Sequence, residues 1–186
     1  MIETLCGIDE AGRGPIAGPL VVAGVVLHRD IDGLNDSKKL SASKRDKLYQ
    51  TILDSSTHHT VTIDSIDIDQ NGLSHSIKSA LIEIKESLSA SSYLFDGNSS
   101  FGVDGISTLI KADSKIAEVS AASIIAKVQR DKIMAKLSLK YPQYELHKHK
   151  GYITKKHIEL IKEHGLSPIH RKSYKVKALS QEPTLF

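Results

Sequence analysis

Leu5-Cys6-Gly7-Ile8-Asp9-Glu10-Ala11-Gly12-Arg13-Gly14-Pro15 is an apolar run that stops on two adjacent acids, then on glycines and a proline. Leu5 to Asp9 reads as a short strand, and Pro15 to Leu27 contains a second, β-branched one. Gly and Pro between them predict a hairpin-like connection. The same kind of ending recurs twice: Ser92 to Phe95 runs into Asp96-Gly97, and Thr108 to Lys111 runs into Ala112-Asp113. Strand ends are where an α/β sheet presents catalytic groups to solvent. An Asp there is poor for stability, because it is depleted in strands and costly near a core unless paired or metal-bound. Asp9, Glu10, Asp96 and Asp113 are therefore the candidate chemical residues.

The remaining pattern alternates strands and helices. Asn35-Asp36-Ser37-Lys38-Lys39 reads as a loop, followed by a helix capped by Ser41 or Ser43 with Leu48, Tyr49, Ile52 and Leu53 on one face. Thr60 to Ile68 reads as an edge strand. Leu73, Ile77, Ala80, Leu81, Ile84 and Leu88 form a helical stripe. Asn98 to Gly105 is a loop, and Ser114 to Tyr141 is the longest helical pattern. Thr154 is an N-cap and Gly165 a C′ residue for one more helix. Pro168 onward is basic and irregular. This order implies an α/β fold with a mixed sheet.

Converging carboxylates make an oxygen-rich site that suits Mg²⁺ or Mn²⁺. Two such ions can activate a water and stabilise the leaving oxygen of a phosphodiester. An acid–base pair of the glycosidase kind is the alternative, although the absence of Trp argues against a sugar platform. Neighbours on a regular strand point to opposite faces, so Asp9 and Glu10 share a site only if the chain bends at Glu10. The glycine-rich turn supplies that bend in this reading. Its successive N–H groups form an anion-binding concavity, to which Arg13 adds a charge-assisted phosphate contact.

Charge is divided along the chain. Residues 1–139 carry 15 Lys/Arg against 18 Asp/Glu, whereas 140–177 carry 10 against 3, with five His. An acidic half for chemistry and a basic half facing a polyanion follow from that asymmetry. The longest apolar run, Leu20 to Leu27, is too short to span a bilayer, and the N-terminus lacks a secretory pattern. With Cys6 unable to form an internal disulfide, these features predict a cytoplasmic protein without membrane attachment.

Read together, several segments resemble ribonuclease HII, the bacterial type 2 ribonuclease H family. They are Gly7 to Pro15 with Ala17-Gly18-Pro19, Leu34 to Ser41, Tyr93-Leu94-Phe95-Asp96-Gly97-Asn98, Lys111 to Lys115 leading into Ala121 to Val128, His149-Lys150-Gly151-Tyr152, and His170-Arg171-Lys172-Ser173-Tyr174. They stand in the family's order over nearly the whole chain. The resemblance implies an RNase H-like fold, a mixed five-stranded sheet flanked by helices with a helical C-terminal extension. It implies a catalytic core over 1–139, a basic extension over 140–177 that helps bind substrate, and a flexible tail over 178–186. Asp9, Glu10, Asp96 and Asp113 would be the metal-binding carboxylates for Mg²⁺ or Mn²⁺. Gly12, Arg13 and Gly14 would read the ribose 2′-hydroxyl and adjoining phosphate, and Tyr152 would pack on the following sugar. The implied activity is hydrolysis of RNA in RNA/DNA hybrids, and incision beside a single ribonucleotide in duplex DNA, leaving 5′-phosphate and 3′-hydroxyl ends. Ala112 and Ile153 depart from the family's usual Gly and small residue.

Further expectations are weaker in chemistry. Lys38 and Lys39 are either phosphate contacts or solvated charges. His170 and Arg171 bind phosphate or hold the C-terminal segment. His147 and His149 are poor ligands for a hard cation, and Asp131 is a surface or packing charge. Gln181-Glu182-Pro183-Thr184-Leu185-Phe186 faintly resembles sliding-clamp-binding peptides. The protein is expected to act as a monomer, with a non-catalytic nucleic-acid-binding protein of the same fold as the competing reading.

Overall fold

A computed structural model describes residues 3–34 and 42–179. Five strands form one mixed sheet: β1 (Leu5–Ala11), β2 (Leu20–Leu27), β3 (Ser56–Ile63), β4 (Ser92–Asp96) and β5 (Ile106–Leu109). Their order is β3-β2-β1-β4-β5. β1 runs antiparallel to β2 and parallel to β4, so it is central and buried on both faces. That position explains why its sequence is apolar on both sides of the pleat.

Alternation along β1 and β2 assigns the two faces. Cys6, Ile8, Leu20 and Val22 pack with Phe95 against Ile77, Leu81 and Ile84 of the helix α3 (Leu73–Ser87). Val21, Ala23 and Val25 face the other way, onto the helices α1 (Ala42–Asp54) and α4 (Ala117–Lys140). The α1 stripe Leu48, Tyr49, Ile52 and Leu53 lies in this second core as expected. α4 crosses β1 at Gly7, where an added Cβ would stand 2.3 Å from the backbone of Glu118 and Val119. No residue with a side chain fits between that strand and that helix.

Several boundaries differ from the sequence reading. The strand expected over Thr60 to Ile68 ends at Ile63, and a short helix α2 (Ser65–Asn71) buries Ile68 while leaving Ile66 exposed. Ile63, Ile66 and Ile68 mimic period two only across this junction. β5 runs from Ile106 to Leu109 rather than from Thr108 to Lys111, and Lys111 takes a left-handed conformation (φ 58°) that ends extended pairing. Residues Ala112–Ser114 form a 3₁₀ turn, so α4 begins at Ala117 rather than at Ser114. Ser43 lies inside α1, and Ser41 falls outside the described residues.

The C-terminal extension is helical, with α5 (Leu146–His149) and α6 (Lys155–His164). Thr154 caps α6 by accepting from the His157 N–H, and Gly165 ends it at φ 76°. Leu146, Leu160, Ile161 and Tyr144 close over Met134 of α4 and Ile16-Ala17 of the β1–β2 connection.

Inside this cluster three imidazoles interlock. His149 Nε2 meets the Tyr144 carbonyl at 2.9 Å and so donates, while its Nδ1 accepts from the Gly151 N–H. His157 Nδ1 donates to the Tyr152 carbonyl at 3.0 Å. His170 Nδ1 accepts from the Ser167 N–H, which leaves its Nε2 to donate to His157 Nε2 at 3.1 Å. Each ring is thereby fixed as a neutral tautomer. Burial holds His157 and His170 down at about 4, and lowers His149 as well. Because the unfolded chain binds these protons near pH 6.5, the stability from neutral burial is complete above that pH. It is lost as pH falls from about 6.5 through about 4. An NMR titration should find the His157 and His170 rings unresponsive between pH 7.5 and 5; either ring titrating near 6.5 would contradict the buried arrangement.

Candidate active site

β1 stays regular through Ala11, with Asp9 opposite Ala23, Glu10 opposite Val22 and Ala11 opposite Val21. The expected bend at Glu10 is therefore absent, and Asp9 sits within the strand rather than at its end. Since Ile8 belongs to the α3 face, Asp9 is on the α4 face with Gly7. Asp96, the last residue of β4 and next to the inward-facing Phe95, lies on that same side. Asp113 is carried on the 3₁₀ turn before α4 and is buried. Oxygens of Asp9, Asp96 and Asp113 lie within 4.8 Å of one another. Strand, strand end and helix entry thus converge, although only Asp96 ends a strand as the sequence suggested.

Local hydrogen bonds hold these carboxylates. Asp9 Oδ1 accepts from the Glu10 N–H at 2.7 Å, and the Ser123 hydroxyl of α4 donates to the same carboxylate. Asp96 Oδ1 accepts from the Ala112 N–H at 3.1 Å, which ties β4 to the turn that carries Asp113. Burial, then the neighbouring charges of Glu10 and Asp96, push Asp9 up to about 8. Burial also raises Glu10 to about 7, with Asp96 adding to the effect and Arg13 opposing it. Carboxylates so reluctant to ionise need positive charge beside them. The donors of the trio are all oxygen, which fits a hard divalent cation.

Glu10 lies outside that trio. Its Oε1 is 2.9 Å from Arg13 Nη2, an ion pair without hydrogen-bond alignment, and among the described residues Glu10 Oε2 and Arg13 Nε and Nη2 have no hydrogen-bond partner. The Arg13 guanidinium also lies 5.8 Å from the centre of the Phe101 ring. These unmet polar atoms border a pocket of ≈ 380 Å³ lined by Glu10, the Gly12-Arg13-Gly14 turn, Arg45, Ser123, Lys127 and Tyr152. Gly14 faces the Tyr152 ring, whose Cε1 would be 3.9 Å from a Cβ placed there. The turn and the tyrosine are therefore neighbouring walls of one cleft that Glu10 also lines.

Among the other sequence candidates, His170 and Arg171 do not face this cleft. Both are buried, and Arg171 spends its donors on the carbonyls of Gly18 and Arg13 and on the Tyr174 hydroxyl. Arg171 holds the turn through the Arg13 carbonyl, and His170 bonds to Ser167 and His157 within the C-terminal segment. Lys38 and Lys39 lie outside the described residues. His147 bonds to Ser138 and His149 to Tyr144, neither near the trio's acids, and Asp131 pairs with Lys127 at 2.7 Å on α4.

The family model described as Ribonuclease HII matches residues 6–177. The chain belongs to this family. Ribonuclease HII of Aliarcobacter butzleri (strain RM4018) is 56% identical over 182 residues, covering 97% of this chain and 95% of that protein. Ribonuclease HII of Sulfurovum sp. (strain NBC37-1) is 53% identical, covering 99% and 97%. Among solved structures, the ribonuclease HII of Archaeoglobus fulgidus, described in complex with PCNA, superposes with a TM-score of 0.76 at 27% identity, covering 94% of this chain and 96% of that one. The ribonuclease H2 from Pyrococcus horikoshii OT3 gives 0.74 at 29% identity, covering 95% of each chain.

In this cleft, the sequence reading missed Ser123, Lys127 and Arg45. Ser123 and Lys127 stand in the quoted Ala121 to Val128 stretch, four residues apart on α4 and so on one helical face. That spacing was the available signal. Nothing local in the sequence marks Arg45, which reaches the cleft only because α1 packs on α4.

The elevated Asp9 gives a stability test. Stability from its protonated form is complete below about pH 3.8 and is lost as pH rises through about 8. Without divalent ions at pH 8, Asp9→Asn should melt above the native protein, by roughly 2–4 °C per kcal/mol relieved. Added Mg²⁺ or Mn²⁺ should raise the native melting temperature and leave the variant's nearly unchanged. A variant that melts lower in the chelator would contradict the arrangement.

Proposed function

We infer that the chain is an endoribonuclease that hydrolyses the RNA strand of RNA/DNA hybrids and incises 5′ of single ribonucleotides in duplex DNA. The observation that carries this reading is the trio Asp9, Asp96 and Asp113, with Asp9 and Asp113 buried and oxygens of all three within 4.8 Å of one another, beside a cleft lined by Gly12-Arg13-Gly14 and Tyr152. Membership of the ribonuclease HII family supports it. The competing reading, a binding protein without catalysis, leaves unexplained why mutually repelling acids are buried together.

Each part of the cleft has a task in this reading. Asp9, Asp96 and Asp113 hold divalent cations, with Glu10 as a further ligand from the edge of the trio. Bound there as a pair, Mg²⁺ or Mn²⁺ supplies water activation and charge neutralisation for phosphodiester hydrolysis, giving 5′-phosphate and 3′-hydroxyl ends. Arg13, Arg45 and Lys127 bring positive charge to the polyanion entering the cleft, and Lys38 and Lys39, outside the described residues, are read as further phosphate contacts. The backbone of Gly12-Arg13-Gly14 can hydrogen-bond a 2′-hydroxyl, the group that separates RNA from DNA, without ordering a long side chain. Tyr152 presents a flat ring to the next sugar and favours one lacking that hydroxyl.

The basic extension of residues 140–177 carries the duplex away from the cleft. Gln181 to Phe186 lies outside the described residues, and we read it as a sliding-clamp peptide, a reading supported by the complex of the Archaeoglobus fulgidus relative with PCNA. No helix among the described residues is long and apolar enough to cross a membrane. We place the activity in the cytoplasm, in keeping with a lone buried thiol at Cys6.

The direct test is a duplex containing one ribonucleotide, incubated with Mg²⁺ or Mn²⁺. The native chain should nick it 5′ of the ribonucleotide, and Asp9→Asn should cut at least about 10³-fold more slowly, the equivalent of several kcal/mol of lost transition-state stabilisation. Undiminished incision by the variant would sink the assignment. Tyr152→Ala should lower the ratio of junction to all-RNA hybrid cleavage about tenfold, whereas Tyr152→Phe should keep it. Equal ratios in the native protein and both variants would remove Tyr152 from the reader's role.

A further inference from the structure

Arg130 lies in the middle of α4 and is only 1% exposed. Among the described residues it forms no ion pair with a carboxylate, and every hydrogen bond it makes goes to a backbone carbonyl. Nε donates to Pro19 at 2.9 Å, while Nη2 donates to Ala17 at 3.2 Å and to Lys150 at 3.1 Å. Burying a guanidinium without an anion is costly, and an apolar residue of that volume would avoid the cost. The compensation is geometric, because only a planar fork can satisfy several fixed acceptors at once.

Those acceptors are not scattered. Pro19 and Ala17 belong to the connection that contains Gly12-Arg13-Gly14, and Lys150 stands two residues before Tyr152. Gly12, at φ 103°, rests directly on the same side chain: an added Cβ would be 2.3 Å from Arg130 Nε and 2.7 Å from its Cδ. The guanidinium carbon is also 5.9 Å from the centre of the Tyr152 ring. One side chain therefore touches the turn, the connection behind it and the tyrosine loop. Lys150 itself is left-handed, at φ 50°, a conformation that its surroundings must hold in place. A single backbone bond, Ile16 N–H to the Gly151 carbonyl, runs alongside this bridge. Arg171 anchors the connection from its far side through Gly18 and Arg13.

We propose that Arg130 is a positioning residue, whose guanidinium locks the Gly12-Arg13-Gly14 turn and the Tyr152 loop in one register and thereby sets the preference for an RNA–DNA junction. The inference rests on the proposed roles of the two walls as the reader of the 2′-hydroxyl and of the following sugar. Substrate contacts the walls; Arg130 acts through them. A point-charge amine at this position keeps the charge and loses the fork.

Hydrogen exchange followed by mass spectrometry on the native protein, Arg130→Lys and Arg130→Met tests the locking apart from activity. Both variants should exchange at least about tenfold faster over residues 10–19 and 149–153, with α3 unchanged. Cleavage tests the consequence: the junction to all-RNA ratio should fall about tenfold in both, while the Mg²⁺ concentration for half-maximal rate stays the same. A native chain that cuts neither substrate overturns the nuclease reading, and the exchange data then decide the locking by themselves. Unchanged exchange in either segment overturns the proposal, as does an unchanged ratio in an active variant. Faster exchange throughout both variants, α3 included, also overturns it, because Arg130 would then be a determinant of the whole fold.

Discussion

Electrostatic repulsion inside the sheet is the constraint around which this molecule is arranged. Two unit charges about 5 Å apart repel by roughly 3 kcal/mol at an effective dielectric near 20, and Asp9 has Asp96, Asp113 and Glu10 for neighbours. A chain does not gather such groups on its central strand by packing preference. It can do so only where other elements are rigid enough to overrule the repulsion. β1 is hydrogen-bonded on both edges, and α4 presses on it so closely at Gly7 that no side chain intervenes. The cost of burial first, and of the neighbouring like charges after it, is thereby stored in the ground state as raised proton affinity at Asp9 and Glu10. A divalent cation relieves it, which makes metal affinity a product of the fold's stiffness as much as of ligand identity.

The opposite wall answers a different demand. The Gly12-Arg13-Gly14 turn, proposed to read a substrate hydroxyl, would do so through backbone with no rotamers to adjust, so its accuracy would be that of whatever holds it. Here the support is supplied by cationic side chains whose donors are turned onto carbonyls. Arg171 grips Gly18 and Arg13, and the Tyr174 hydroxyl adds a second bond to the Arg13 carbonyl at 2.8 Å. Asp69 of α2 in turn holds Lys172 and Ser173 through their backbone N–H groups, fastening the segment that carries Arg171. The C-terminal extension is thus a scaffold for the turn as well as a basic surface. That dual use explains why His170 and Arg171, although they stand in the basic half, are buried.

How far the sequence could be read depended on whether a residue acts through its neighbours in the chain or across the fold. Asp9, Asp96 and Asp113 were legible because each interrupts an apolar run, a local anomaly with few structural explanations. The helix of Leu73 to Leu88 and the Thr154 and Gly165 caps were legible for the same reason, being periodicity and end chemistry within one segment. The orientation of Glu10 was not, because it depends on how long β1 stays paired to β2, which the glycines at 12 and 14 do not reveal. Lys111 ended β5 early through a left-handed backbone that a lysine gives no reason to expect. Arg130 was invisible: its partners stand about 110 and 20 residues away in sequence, and an arginine followed by an aspartate on a long helix looks like any solvated pair.

The two walls also explain why the glycines and the arginines of this chain need each other. Gly12 is required because Arg130 occupies the space a side chain would take, and Arg130 is tolerated in the interior because the connection beyond Gly12 turns its carbonyls inward. Remove either and the other becomes a liability, a buried charge without acceptors or a turn without a floor. Such mutual dependence is a stronger constraint on the backbone than any single hydrogen bond, since partial rearrangement costs more than none. It ties the turn to the interior at fixed points, which is the support the proposed discrimination of a single hydroxyl requires.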